Sequence, residues 1–159
     1  MDGLKIKLAT GGDSEKIALL LLEAFSEFKY LYSTEAFLAT VIKPEEVYSR
    51  IIEGPVWIAE YHCELVGTVS VVPKKNEVYL RGMAVLPAVQ GLKIGFSLLQ
   101  EVERFATINS SGRLFLRTTP YLDKAIKLYE RFGFVKLDKG EEDYFGTASF
   151  LMEKILLKA

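Results

Sequence analysis

The stretch VLPAVQGLKIGFSLL, residues Val85 to Leu99, decides how this chain is read. A strand-like run ends at Pro87, a loop carries Gly91, and the period of the apolar residues then changes. Leu98, Leu99, Val102, Phe105 and Ala106 recur at helical spacing, which predicts a helix from about Lys93 to Ile108. The first backbone N–H groups of such a helix have no partner within it and point outward. The helix dipole adds partial positive charge at the same end. A strand–loop–helix turn of this kind holds a phosphate or diphosphate on main-chain donors, without many basic side chains. Gly91 permits unusual backbone angles, and Gly95, inside the predicted helix, lets another group approach closely. Many turns of this kind bind nothing, so the residues alone define a candidate anion site and leave the structural reading open.

Upstream, Leu4, Ile6 and Leu8 alternate with Lys5 and Lys7 as a first strand. Gly11-Gly12 makes a turn, and Asp13 or Ser14 caps a helix whose Ile17, Leu20, Leu21, Ala24 and Phe28 share a face. Residues Tyr30 to Ala39 read as aromatic and irregular. A second helix starts at Pro44 and runs to about Ile52, where Gly54-Pro55 stops it. Three strands follow, Val56–Tyr61, Leu65–Val72 and Glu77–Leu86, with a hairpin turn at Pro73 to Asn76. Gly82 inside the third predicts a bulge or a close backbone approach. Downstream come a short strand at Leu114–Leu116, a helix from Tyr121 to Arg131 and a glycine cap at Gly133. Two last strands cover Phe134–Leu137 and Ser149–Leu157. The order βααβββαβαββ describes an α/β (α+β) domain around a mixed sheet, flanked by about four helices.

Length and composition bound the rest. The 159 residues suit one domain spanning 1–159, half apolar and rich in Phe and Tyr. Twenty basic residues against 21 acidic ones argue against a nucleic-acid partner. The longest dense apolar block, Ala18 to Leu22, is too short to span a bilayer, and the N-terminus alternates where a signal peptide would run apolar. The lone Cys63 makes an intrachain disulfide impossible and fits a reducing compartment. These features lead us to expect a cytoplasmic, soluble protein.

Two segments carry a family resemblance. VQGLKIGFSLL resembles motif A of the GCN5-related N-acetyltransferases (GNAT), written Gln/Arg-x-x-Gly-x-Gly/Ala, through Gln90, Lys93 and Gly95. DKAIKLYERFGFVK, from Asp123, resembles motif B, Ala-x-x-x-Tyr-x-x-x-Gly-Phe, through Ala125, Tyr129, Gly133 and Phe134. The element order is similar to the family's from Leu4 to Leu157. Two positions depart from it: Lys93 stands where motif A has its first glycine, and Leu122 falls roughly where relatives often carry a cofactor-contacting asparagine. A lysine at 93 is expected to take ordinary helical angles and keep its amide free.

The resemblance implies an N-acetyltransferase that uses acetyl-coenzyme A, without a metal, to acetylate an unidentified primary amine by direct attack on the thioester. It implies that the main chain of Met83, Ala84 and Val85 pairs with the pantetheine arm. The amides of Gln90, Gly91, Leu92, Lys93, Ile94, Gly95 and Phe96 would cradle the pyrophosphate. Tyr129 would be the general acid that protonates the leaving thiolate. On residues alone Tyr129 reads as packing, since Ala125, Leu128 and Phe132 share its helical face. Glu60, His62 and Glu77 are candidate bases without a way to choose among them. Phe25, Phe28, Tyr30, Tyr32 and Phe37, with Glu23 and Glu27 and with Tyr144 and Phe145, are candidates for the acceptor side or for core. An acyl-coenzyme A sensor of the same fold is the alternative; a nucleotide-binding loop is disfavoured because neither GxxxxGK[ST] nor GxGxxG occurs. The apolar final strand makes a homodimer an expectation to test.

Overall fold

The structure is a computed structural model and describes residues 3–137 and 142–156. The chain runs β1 (Leu4–Leu8), α1 (Ser14–Phe25), α2 (Thr34–Thr40), α3 (Pro44–Glu53), β2 (Val56–Tyr61), β3 (Glu64–Lys74) and β4 (Glu77–Val85). It continues with α4 (Ile94–Ile108), β5 (Arg113–Thr118), α5 (Asp123–Phe132), β6 (Val135–Lys136), β7 (Glu142–Tyr144) and β8 (Thr147–Ile155). Eight strands form one mixed, mostly antiparallel sheet in the order β1-β2-β3-β4-β5-β8-β6, with β7 paired to β8. Among the described residues the only parallel pair is β4 with β5, connected through α4, which packs on one face of the sheet.

Each face of the sheet buries its own core. One is built from Val69, Val71, Val78 and Leu114 of the strands against Leu98, Leu99 and Val102 of α4 and Tyr129 and Phe132 of α5. The other sets Ile17, Leu21 and Phe25 of α1 and Val47 of α3 against Val56, Ile58 and Ala84. Strand residues alternate between the two faces, which is why the period-2 runs read so clearly in the sequence.

Three features differ from the sequence expectation. Residues 34–40, read as irregular, form α2: the Ser33 hydroxyl accepts from the Ala36 amide at 3.0 Å, and Ala36 and Phe37 are buried. With a single buried turn, this helix leaves little periodic signal. A further short strand, β7, precedes the last one, giving five helices and eight strands. The final strand begins at Thr147, two residues early, and the predicted end at Leu157 lies outside the described residues. That strand is interior, paired to β5 on one side and to β6 on the other at Met152 and Glu153. Its backbone therefore offers no free edge there for a second copy.

The feature that positions everything else is a fork. β4 and β5 pair only from Glu77–Leu80 to Arg113–Leu116 and then diverge. Beyond Leu80, β4 bulges against β3: the register slips between Thr68 and Ser70, opposite Gly82, whose φ is +62°. A bulge raises the local twist, and it falls where the two central strands part. Arg81 to Val85 thus keep β3 as a partner on one side and have no strand partner on the other among the described residues.

Candidate active site

The fork opens into a cavity of about 660 Å³. Its walls come from both faces of the sheet. Phe25, Phe28 and Tyr32 stand on the α1–α2 side, and Asp123, Ala125 and Tyr129 on the α5 side. Met83, Ala84, Val85 and Gln90 line it from β4 and the loop beyond. The hairpin of β7 and β8 closes one end. Ser33 hydrogen-bonds the Phe145 carbonyl through its hydroxyl, and its amide donates to Thr147 Oγ1 at 3.0 Å. Thr40 and Tyr144 hydroxyls lie 3.4 Å apart.

Past the strand end, the loop turns its amides in two directions. Gln90 N–H donates to the Pro87 carbonyl at 3.2 Å and Leu92 N–H to the Val89 carbonyl at 3.4 Å. These two donors are spent inside the loop, contrary to the expectation that all of Gln90 to Gly95 are free. The N–H groups of Gly91, Lys93, Ile94, Gly95 and Phe96 have no partner among the described residues; the first amide of α4 paired backward is that of Ser97. Gly91 has φ +93° with open space around it. Lys93 does not take helical angles. It is the N-cap of α4 at φ 61°, ψ 24°, the left-handed region that a glycine enters at no steric cost. The helix therefore starts at Ile94, one residue later than predicted. Gly95 serves packing: a Cβ there would stand 2.7 Å from Leu128 Cδ2, so the glycine seats α4 on α5. The Gln90 side chain accepts from Lys124 Nζ at 3.1 Å, tying the loop to α5. Gln90 lines the cavity, and Gly91 to Phe96 do not.

Tyr129 projects from α5 and is 7% exposed. Its ring packs edge-on against Phe134, with centroids 5.8 Å apart. Its hydroxyl has no hydrogen-bond partner among the described residues, and burial raises its pKa well above the ordinary tyrosine value. It is both a core residue and a wall of the cavity, so the two readings of it are compatible. Burial also raises the phenols of Tyr32, Tyr79 and Tyr121. Tyr32 and Tyr121 meet edge to face at 5.3 Å, and the Tyr121 and Thr119 hydroxyls are buried without a partner in hydrogen-bonding geometry.

The candidate bases lie elsewhere. Glu60 pairs with Lys7 at 2.7 Å, Glu77 with Arg113 at 2.7 Å, and His62 is exposed in the β2–β3 turn beside the exposed Cys63. None of them lines the cavity. Of the aromatic cluster, Phe25, Phe28 and Tyr32 line it, together with Glu27, Tyr144 and Phe145. Phe37 packs behind Tyr32, and Tyr30 is 82% exposed. Leu122 lines the cavity without offering a polar side-chain contact. Sequence reasoning missed Arg50, Arg81 and Arg117, which reach the cavity from α3, β4 and β5. Arg81 was legible in principle, as a charge inside a strand otherwise apolar from Val78 to Val85. Among the described residues no cluster of three His, Cys, Asp or Glu stands together, and no helix is long and apolar enough to cross a membrane.

A central sheet forked between its parallel strands, with free amides at the helix that follows, can hold an extended ligand that carries an anionic group. The match agrees: the model of the acetyltransferase (GNAT) family covers residues 20–134, and the chain belongs to that family. Among curated relatives, the uncharacterized N-acetyltransferase YjgM of Escherichia coli (strain K12) is 33% identical over 86 residues, 52% of this chain and 52% of its own. The probable N-acetyltransferase camello of Xenopus laevis is 36% identical over 83 residues, 50% of this chain and 38% of its own. The matched segment thus spans about half or less of those relatives. The PaiA N-acetyltransferase from Thermoplasma acidophilum, solved with coenzyme A, shares the fold at a TM-score of 0.83 and 20% identity, over 96% of this chain and 99% of that one. YncA from Salmonella typhimurium, a putative acetyltransferase solved with acetyl-coenzyme A, does so at 0.77 and 16%, over 99% and 96%.

Proposed function

We propose that the chain is an N-acetyltransferase that transfers an acetyl group from acetyl-coenzyme A to a primary amine. The observation that carries this reading is a pair of unsatisfied main-chain stretches joined by a short loop. One is the open edge of Met83, Ala84 and Val85, and the other is the set of free N–H groups of Gly91, Lys93, Ile94, Gly95 and Phe96. The edge suits an extended amide-bearing arm, and the helix start suits a diphosphate. When bound, acetyl-coenzyme A supplies a thioester: the amine nitrogen bonds to the acetyl carbon, the carbon–sulfur bond breaks, and an amide and a free thiol result.

The chain's own residues do the rest. A main-chain N–H on the Met83 to Val85 edge polarises the acetyl carbonyl, a contribution worth about 3–4 kcal/mol where a single oxyanion donor has been removed in an enzyme. Tyr129 holds its proton at Oη in the resting state, because burial disfavours the phenolate, and gives it to the departing sulfur. The aromatic wall of Phe25, Phe28 and Tyr32 excludes bulk water. With Glu60, His62 and Glu77 outside the cavity, the amine loses its proton to another base or to a water chain.

The test is thermal denaturation with acetyl-coenzyme A, ATP or NAD, followed by thiol release over an amine panel with mass identification of the product. A ligand that binds only the folded state stabilises it by about 2.7 kcal/mol at a hundred times its dissociation constant. Stabilisation by acetyl-coenzyme A alone, with amine-dependent thiol release, is the expected result. Stabilisation by ATP or NAD instead defeats the proposal, and binding without turnover on every amine favours the sensor.

A further inference from the structure

The fork has a second end. From the free amides of the α4 start, β4 leads back through Val85 and Met83 to Gly82 and Arg81, so these last residues lie at the far end from the diphosphate loop. Arg50 of α3 reaches the same place and lines the cavity. A Cβ at Gly82 would stand 2.7 Å from Arg50 Nη1, so the guanidinium lies directly on the β4 bulge, in space that a side chain at 82 would take. Arg50 has no ion pair or hydrogen bond among the described residues. Arg81 donates through Nη2 to Glu53 Oε2 at 2.6 Å, while its Nε is buried with no partner. Glu53 is thus spent on Arg81, and the acid that acts on Arg50 is Glu46 of the same helix, at no ion-pair distance. Burial, and next the neighbouring Arg81 charge, pull the Arg50 pKa down, as expected of a cation short of a counter-ion. The acids of the lining, Glu27 and Asp123, are exposed positions of the turn after α1 and of the start of α5.

We propose that Arg50 and Arg81 form an oxyanion subsite, and that the acceptor is an amine that also carries a carboxylate. This deepens the acetyltransferase reading and rests on it. A planar guanidinium fork matches a carboxylate in two-point geometry, and partial burial strengthens that pairing. A polyamine would instead bring further positive charge toward two cations, while Glu27 and Asp123 of the lining stand at exposed positions where solvent screens them.

The test uses the whole chain saturated with coenzyme A and reads binding of product-type probes by calorimetry. The probes are an N-acetyl amino acid, its carboxamide, an N-acetyl aminophosphonate and a mono-acetylated diamine. The acid is expected to bind at least tenfold tighter than the carboxamide and the diamine. Arg50→Gln should erase that preference while the melting-temperature rise given by coenzyme A persists, and Arg50→Lys should restore part of it. A phosphonate that binds tightly while the carboxylate does not would overturn the carboxylate assignment. Equal binding of acid and carboxamide, tighter binding of the diamine, no binding of any acid, or a preference that survives Arg50→Gln overturns the subsite. Loss of the coenzyme A response in the unmodified chain sinks the acetyltransferase reading itself.

Discussion

Two residues carry most of the chemistry that can be tested singly. The Tyr129 ring belongs to the core, but its hydroxyl has no protein partner, so the oxygen is free for a ligand. Tyr129→Phe should leave stability within about 0.5 kcal/mol, since nothing in the fold hydrogen-bonds the lost group. It should lower kcat by roughly a hundredfold or more, the range of general acid–base steps, with little change in KM for acetyl-coenzyme A. Unchanged turnover on a demonstrated substrate removes Tyr129 from the mechanism. Lys93 sits at φ 61°, where a side chain costs about 1–2 kcal/mol. Lys93→Gly is therefore expected to raise the melting temperature by roughly 2–4 °C, the shift that about 1 kcal/mol gives in a chain of this size. A drop would mean that the lysine side chain makes a compensating contact.

At the scale of elements, α3 deserves the closest test because it delivers Arg50. Its end is set by Gly54, where an added Cβ would lie 2.5 Å from the Val71 carbonyl and 2.8 Å from Pro73 Cδ. Backbone and a proline ring cannot step aside as a flexible side chain can. Gly54→Ala should cost about 2 kcal/mol through overpacking, and an unchanged unfolding midpoint in denaturant would refute this account of the junction. The elements also show what a single sequence reveals. The strands around Val56 to Val85 and the long helix after Gly91 were legible because their apolar residues repeat at a strict period. The short helix at Thr34 and the strand at Glu142 escaped because neither has enough buried residues to display one. Motif spacing located Gln90, Gly95 and Tyr129 in the chain. It did not reveal that Lys93 adopts left-handed angles, or that Gly95 makes room for Leu128. Nor did it show the Arg50 and Arg81 pair, which comes together only because the Gly82 bulge leaves room for a guanidinium. That juxtaposition is a product of tertiary packing and has no local pattern.

The molecule as a whole contains four tyrosines, Tyr32, Tyr79, Tyr121 and Tyr129, whose phenols burial raises above their unfolded value. The unfolded chain therefore ionises first on the alkaline side. It binds fewer protons than the native chain, and stability falls as pH rises past about 10. Below that value the contribution is intact. For the buried Tyr129 the loss is at most about 1.4 kcal/mol per pH unit. Urea unfolding at pH 9 and pH 11 should show a smaller alkaline loss for Tyr129→Phe than for the unmodified chain; identical losses would mean that this phenol ionises as easily folded as unfolded.

Among the described residues, four residue pairs stitch β4 to β5 across the middle of the sheet, with α4 and the core beneath it packed on both. Beyond those pairs the two strands part like leaves, and a molecule lying along the gap would act as a clasp between them. Hydrogen exchange along this seam is therefore expected to slow once the gap is filled, and an unchanged rate would mean that the core alone holds the leaves together.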